Sequence, residues 1–208
     1  MTVCDVLVVG GSGRVGASTL RWLDRLSHRD SVPLKLAIGG RNAATIQSSR
    51  LRLGRSDLSF VHVDVDSDTA TLVNDVLGAK LVVHTAGPFQ GRSSPNLLNA
   101  CIRAGVPYCD VCDELLLSRN AKALSAKAAA AGIPAVISCG IWPGVSALMA
   151  AKAVQHLGGL GACDRLEFSF HTAGTGGAGP TIVSATFLLL AADVETYVDG
   201  ARTFQKPW

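Results

Sequence analysis

Short runs of apolar residues alternate along this chain with longer stretches in which apolar positions recur every three or four residues. Val3–Val9 ("VCDVLVV") predicts a first strand, followed by a helix from about Arg14 to Leu26. The same pairing recurs: Leu34–Ile38 with a helix over Ala43–Leu53, Ser59–Val63 with Asp68–Leu77, and Leu81–Thr85 with Pro95–Ala104. Tyr108–Val111 then precedes an Ala-rich helix over Glu114–Ala131, and Ala135–Ser138 closes the series. Several strands are near-continuous Val, Leu and Ile without polar alternation, the pattern of a parallel sheet buried on both faces. Six such strands with crossover helices predict an α/β, doubly wound parallel sheet in the spatial order 3-2-1-4-5-6.

The pattern changes after Ser138. "CGIWPGVSALMAAKAVQHL" reads as a loop and a helix, "RLEFSFHTAG" alternates like a strand, and "TIVSATFLLLAA" reads as an apolar helix after the loop "GTGGAGP". "ETYVDGARTFQKPW" begins a further strand. The expected division is a dinucleotide-binding domain over 1–141 and the start of a smaller α+β domain over 142–208, which stops short at Trp208.

Composition narrows the functions this architecture can serve. The 208 residues carry a formal net charge of +3, with no run of Lys or Arg, so a nucleic-acid footprint is not expected. A ligand with a few phosphates suits that balance better than a polyanion does. Six cysteines sit mostly within apolar runs, as small buried hydrophobes do. The chain enters its first strand at once, so neither a signal nor a transit peptide is expected. Its longest apolar stretch, Ile182 to Ala192, falls short of the ~20 residues of a membrane span. An intracellular, soluble protein is expected.

The first turn, "VVGGSGRVGAS", matches G-x-G-x-x-G at Gly11, Gly13 and Gly16, and G-x-x-G-x-x-G at Gly10, Gly13 and Gly16. Such a turn lets the backbone approach a pyrophosphate and aims a helix N-terminus at it. The second strand then ends on Gly39, Gly40 and Arg41, where an NAD site would carry a carboxylate for the ribose hydroxyls. A guanidinium there pairs with a 2′-phosphate instead. One charged hydrogen bond contributes about 1.5–3 kcal/mol, which favours NADPH over NADH roughly ten- to hundredfold. NADP is the expected cofactor. The residues expected to hold it are Gly11, Ser12, Gly13, Arg14, Val15 and Gly16 in the turn, Arg41 and Asn42 after the second strand, Asp64 (or its neighbour Val65) beside the adenine, and Ala86, Gly87 and Pro88 beside the nicotinamide ribose.

Other polar groups are weighed by position. Asp64, Asp66 and Asp68 alternate, but no calcium-type loop completes them, and Asp66 or Ser67 is the expected helix cap. His84, within a strand, is expected to be a buried neutral imidazole. Cys109 and Cys112 form C-x-x-C, yet on a strand the two thiols point to opposite faces, so neither a redox pair nor a metal site is expected. Asp110, Asp113 and Glu114 end the fifth strand; Asp110 and Glu114 are the candidate proton-handling or substrate-orienting groups, with capping of the following helix as the competing role. The only tyrosines, Tyr108 and Tyr197, have Cys112 and Ala201 four residues later, which excludes the Tyr-Lys pair of short-chain dehydrogenases. No G-x-S-x-G elbow is present.

Together, "VLVVGGSGRVGAS", "IGGRN", "VDVDSD", "VVHTAGPFQG", "GVPYCDVCDE" and "CGIWPGVSALMA" resemble the saccharopine dehydrogenase-like oxidoreductases, and "FSFHTAGTGGAGPTIVSATFLLL" is similar to plant and algal members. The resemblance implies an NADP-binding Rossmann domain followed by a substrate and dimerisation domain, hence a possible homodimer. It places the glycine turn on Gly11, Gly13 and Gly16, the adenosine phosphate on Arg41 and the nicotinamide-side turn on Ala86–Gly87–Pro88. Asp113 stands where members commonly carry Gly. The implied activity is hydride transfer between NADP(H) and a small imine, carbonyl or amino-acid-like substrate, in the cytoplasm, or in a plastid by resemblance to plant members. The alternatives are a non-catalytic NADP-binding sensor or interaction module and an inactive, shortened product.

Overall fold

The computed structural model describes residues 4–171, 173 and 180–207. A six-stranded parallel sheet runs in the order β3-β2-β1-β4-β5-β6. Its strands are β1 (Cys4–Val9), β2 (Leu36–Gly40), β3 (Ser59–His62), β4 (Ala79–His84), β5 (Tyr108–Asp110) and β6 (Ala135–Val136). The crossovers are α1 (Arg14–Arg29), α2 (Thr45–Leu53), α3 (Thr69–Val76), α4 (Asn96–Ala104), and the pair α5 (Leu115–Lys122) and α6 (Ser125–Ala130). The sequence order reverses between β1 and β4, so the carboxyl ends of these two strands flank the crevice where such sheets bind ligands.

The continuous apolar runs follow from burial on both faces. Along β1, Val6 and Val8 pack with Leu20, Leu36, Ile38 and Leu58 on one side of the sheet. Leu7 and Val9 pack with Leu72, Val76, Val82 and Leu97 on the other. Each fully buried aliphatic side chain contributes about 1.5–3 kcal/mol. The helices end where the chain can turn: Gly54 and Gly105 follow α2 and α4 in the left-handed region, at φ 65° and 68°.

Four local expectations are corrected. The cap of α3 is Asp68, whose carboxylate accepts from Ala70 N and Thr71 N at 2.8 and 3.0 Å, because Asp66 and Ser67 lie two and one residues too early to reach them. The Ala-rich helix is two helices: at Leu124 the ladder tightens to a bond with Ala121 three residues back, and Leu124 itself turns onto the core. Residues 165–171 form no strand; Phe168 and Phe170 share a side, stack with centroids 6.0 Å apart, and Phe170 meets Trp142 edge-on at 4.9 Å. A lone strand has no ladder partner to satisfy its backbone. The last segment holds two strands, β7 (Val194–Val198) and β8 (Ala201–Gln205), paired antiparallel. Asp199 and Gly200 join them, both at positive φ (50° and 78°), as a two-residue hairpin turn of the Asp-Gly type requires.

Between sheet and hairpin lie α7 (Val145–His156) and α8 (Pro180–Leu190). The loop "GTGGAGP" lies largely outside the described residues. Glu195 on β7 bonds Arg119 of α5 and Arg202 of β8, and these cations, with the Tyr197 hydroxyl, hold its carboxyl down to about 2. Among the described residues, no helix is long and apolar enough to cross a membrane.

Candidate functional site: a dinucleotide cleft at the switch point

The glycine turn joins β1 to α1 and touches the loop after β4. Gly10 has φ +83°, and a Cβ there would lie 2.7 Å from Ala86 N. A Cβ on Gly16 would lie 2.3 Å from the Gly10 carbonyl oxygen and 2.7 Å from Thr85 Oγ1. These two positions admit only glycine, since any side chain would push the turn away from β4. Gly13, by contrast, meets only Gly10 O, at 3.2 Å, and its other side is open. It precedes α1 without any side-chain cap bond, so the first N–H groups of α1 remain available to an anion.

Around this turn lies a cleft of about 660 Å3, within the ~300–1,000 Å3 of small-molecule sites. Of the sequence-derived set, Ser12, Gly13, Arg14, Val15, Arg41, Asn42, Asp64, Ala86, Gly87 and Pro88 all border it. Gly11 and Gly16 stand behind the turn, buried, where they allow close packing. Arg41 and Asn42 follow the end of β2 and are exposed. The Asn42 side-chain oxygen accepts from Ala44 N at 3.0 Å, forming the turn that leads into α2. Asp64 Oδ1 accepts from Asp66 N at 3.1 Å, shaping the turn after β3.

Asp110 and Glu114 stand away from this cleft. Asp110 is buried, accepting from Cys112 N, Ser138 N and the Tyr108 hydroxyl. Glu114 caps α5 through Leu116 N. The strand-five carboxylate that does border the cleft is Asp113, exposed beside Val111 and across from Pro88 and Gln90. Its position relative to Asp110 was legible only in the loop geometry.

Sequence reasoning also missed Arg92. It pairs with both carboxylate oxygens of Asp66 and donates from Nε to Pro88 O at 3.1 Å, joining the β3 and β4 loops at the cleft rim. Arg92 in turn keeps the Asp66 carboxyl below its ordinary value, helped by nearby Arg41. The two residues are far apart in sequence and no motif links them.

His84 is buried, and desolvation pushes its pKa down to about 4, against a smaller opposing effect of the Ala86 backbone. It is a neutral imidazole at pH 7. Cys109 packs on the α1 side of the sheet while Cys112 packs with Phe89 and Leu117. Burial pushes Cys109 up to about 11 and raises Cys112, so neither is a thiolate at neutral pH. Among the described residues, no three His, Cys, Asp or Glu side chains converge as a metal site would require. Trp22, over half exposed beneath Arg25, does not border the cleft, so its fluorescence is a poor reporter of binding.

A doubly wound sheet with a glycine turn at its switch point and Arg41 at the β2 end defines a dinucleotide-binding fold. The chain belongs to the saccharopine dehydrogenase NADP-binding domain family, whose model matches residues 6–136. The trans-acting enoyl reductase of Mycobacterium ulcerans is 32% identical over 139 residues, covering 65% of this chain and 32% of that protein. The carboxyaminopropylagmatine dehydrogenase of Synechocystis is 30% identical over 162 residues, covering 74% of this chain and 38% of that protein. The chain thus spans about a third of the length of these curated relatives. Apo saccharopine dehydrogenase (L-Glu forming) from Saccharomyces cerevisiae superposes with a TM-score of 0.60 at 17% identity, over 97% of this chain and 44% of that one, and so shares the fold.

The residues fit NADP. The side-chain-free cradle and the uncapped α1 N-terminus suit a pyrophosphate. Arg41, exposed at the end of β2, offers the cleft a guanidinium of the kind that pairs with phosphate, and the β4 and β5 loops border the other half.

Proposed function

We propose that this chain is the cofactor-binding part of an NADP(H)-dependent oxidoreductase acting on a small imine, carbonyl or conjugated enoyl compound, with amino-acid-like substrates foremost. The observation that carries the reading is the arrangement of one cleft: Arg14 and Arg41 border it at the glycine turn and the β2 end, Asp113 borders it after β5, and of the carboxylates on its β3 side Asp66 is already paired with Arg92. Bound NADPH supplies hydride at its nicotinamide ring. The Gly10–Gly16 turn fixes the pyrophosphate, and Arg41 holds the adenosine phosphate. Ala86, Gly87 and Pro88 leave room for the nicotinamide ribose. Asp113 is the carboxylate placed to orient a cationic or hydrogen-bond-donating substrate, or to pass a proton to the atom next to the reduced carbon. The names of the relatives, two dehydrogenases and an enoyl reductase, support C=N and C=C bonds as candidates. Residues 142–208 belong, in this reading, to a substrate-side and dimerisation region. Their many exposed apolar side chains, Trp142, Leu148, Met149, Phe168, Phe170 and Phe187 among them, favour such contacts.

The test is NADPH carrying deuterium at the transferred position, offered with a panel of imines, carbonyls and enoyl thioesters. Deuterium should appear at carbon in one class, and Asp113→Asn should slow that transfer at least tenfold. Cofactor binding with no transfer to any class would leave the second reading, an NADP-responsive interaction module, which the diversion of Asp110 and Glu114 into structural bonds favours.

A further inference from the structure

Three strand ends meet at one buried carboxylate. Asp110 Oδ1 accepts from Cys112 N at 3.0 Å and Ser138 N at 2.7 Å, and Oδ2 accepts from Tyr108 Oη at 3.0 Å. The same Tyr108 oxygen lies 3.0 Å from His84 Nδ1. All three residues are almost wholly buried: His84 is 7% exposed, Asp110 5% and Tyr108 4%. Ser138 is held at φ 60°, a conformation side-chain-bearing residues rarely adopt, and its N–H bond to Asp110 anchors it there. His84 Nε2 is buried without a hydrogen-bond partner.

We infer that Asp110, Tyr108 and His84 form a polarised hydrogen-bond chain that fixes His84 as its Nδ1–H tautomer and makes Asp110 a positioning residue for the nicotinamide side of the NADP cleft. The inference rests on the NADP reading of that cleft. The polarity follows from proton counting. Asp110 faces three donors and acts only as an acceptor. Tyr108 keeps its proton, since burial and the Asp110 charge raise its pKa well above the ordinary value, and it spends that proton on Asp110. The proton between Tyr108 and His84 therefore sits on Nδ1 and leaves Nε2 unprotonated, since the Ala86 backbone, which favours a protonated ring, weighs less than burial and makes no hydrogen bond to Nε2. His84 and Arg92 both border a cavity of about 20 Å3, room for one donating water between the buried chain and the Arg92 clasp. From Asp110 the chain continues to Val111 and Asp113, which border the cleft.

Asp110→Asn tests this with little change in shape. Its amide oxygen must serve Cys112 N and Ser138 N, so its NH2 donates to Tyr108, whose proton then turns to His84 Nδ1. Nitrogen-15 NMR of the cofactor-free protein, with His84 assigned through His84→Gln, should show Nδ1–H in the wild type and Nε2–H in Asp110→Asn. NADPH affinity of the folded variant should fall at least threefold. An Nε2–H wild type, the same tautomer in both proteins, or reversal with unchanged affinity overturns the inference. Should Asp110→Asn not fold, Tyr108→Phe removes the link, and a single unchanged Nδ1–H tautomer there overturns it equally. Wild type that fails to bind NADPH would remove the cofactor reading and the positioning role with it, while the tautomer, measured without cofactor, still decides the chain.

Discussion

A methyl group on Gly16 would sit 2.3 Å from the Gly10 carbonyl oxygen, with buried backbone on its other contact. Gly16→Ala should therefore force the turn open, destabilising the fold by about 1–3 kcal/mol as overpacking does. It should also weaken NADPH at least tenfold, measured by calorimetry beside a urea titration. At His84 the expected effect is on acid stability. Its folded pKa of about 4 lies below the ordinary value of 6.5. As pH falls below 6.5 the unfolded chain binds a proton that the folded chain does not, so stability falls until about pH 4 and the loss then levels off. The full effect is on the order of 3 kcal/mol. Urea midpoints at pH 7 and pH 4.5 should diverge less in His84→Gln than in wild type; equal divergence would contradict the assignment. The glycines and Arg41 were legible as residues because each has a steric or charge requirement visible in isolation. Asp110 stood out in the sequence by its place at a strand end, and only the fold shows that Tyr108, Cys112 and Ser138 converge on it.

Among the elements, the parallel strands were the most legible, because burial on both faces leaves a continuous apolar run such as "VLVV" in β1. Helix starts were less so. Asp64, Asp66 and Asp68 are chemically alike, and only the geometry shows that Asp64 shapes a turn, Asp66 pairs with Arg92 and Asp68 caps α3. Asp68→Ala should cost about 1 kcal/mol, the ordinary loss of an N-cap. It should leave NADPH affinity unchanged, because Asp68 does not border the cleft. A drop in affinity equal to that of Arg41→Ala would contradict the division of labour among these carboxylates. The Asp199–Gly200 hairpin was missed, read as one strand although its Asp-Gly pair marks a turn, and the alternation in "RLEFSFH" misled: period two without a neighbouring strand forms an aromatic cluster, not a sheet.

For the molecule as a whole, strand order and ligand crevice follow together from the six-strand alternation, which is why fold and cofactor site were both recoverable from the sequence. The β4–β5 side of the cleft was not, because loops distant in sequence border it, with residues that follow no local pattern, Arg92 and Asp113 first among them. The central claim is that the cleft selects NADP through Arg41. Calorimetric titration of wild type and Arg41→Ala with NADPH and NADH tests it most directly. The account predicts at least tenfold tighter binding of NADPH by the wild type, with that margin lost in Arg41→Ala while NADH affinity hardly changes. Equal affinities in the wild type, or a margin that survives the substitution, would contradict it.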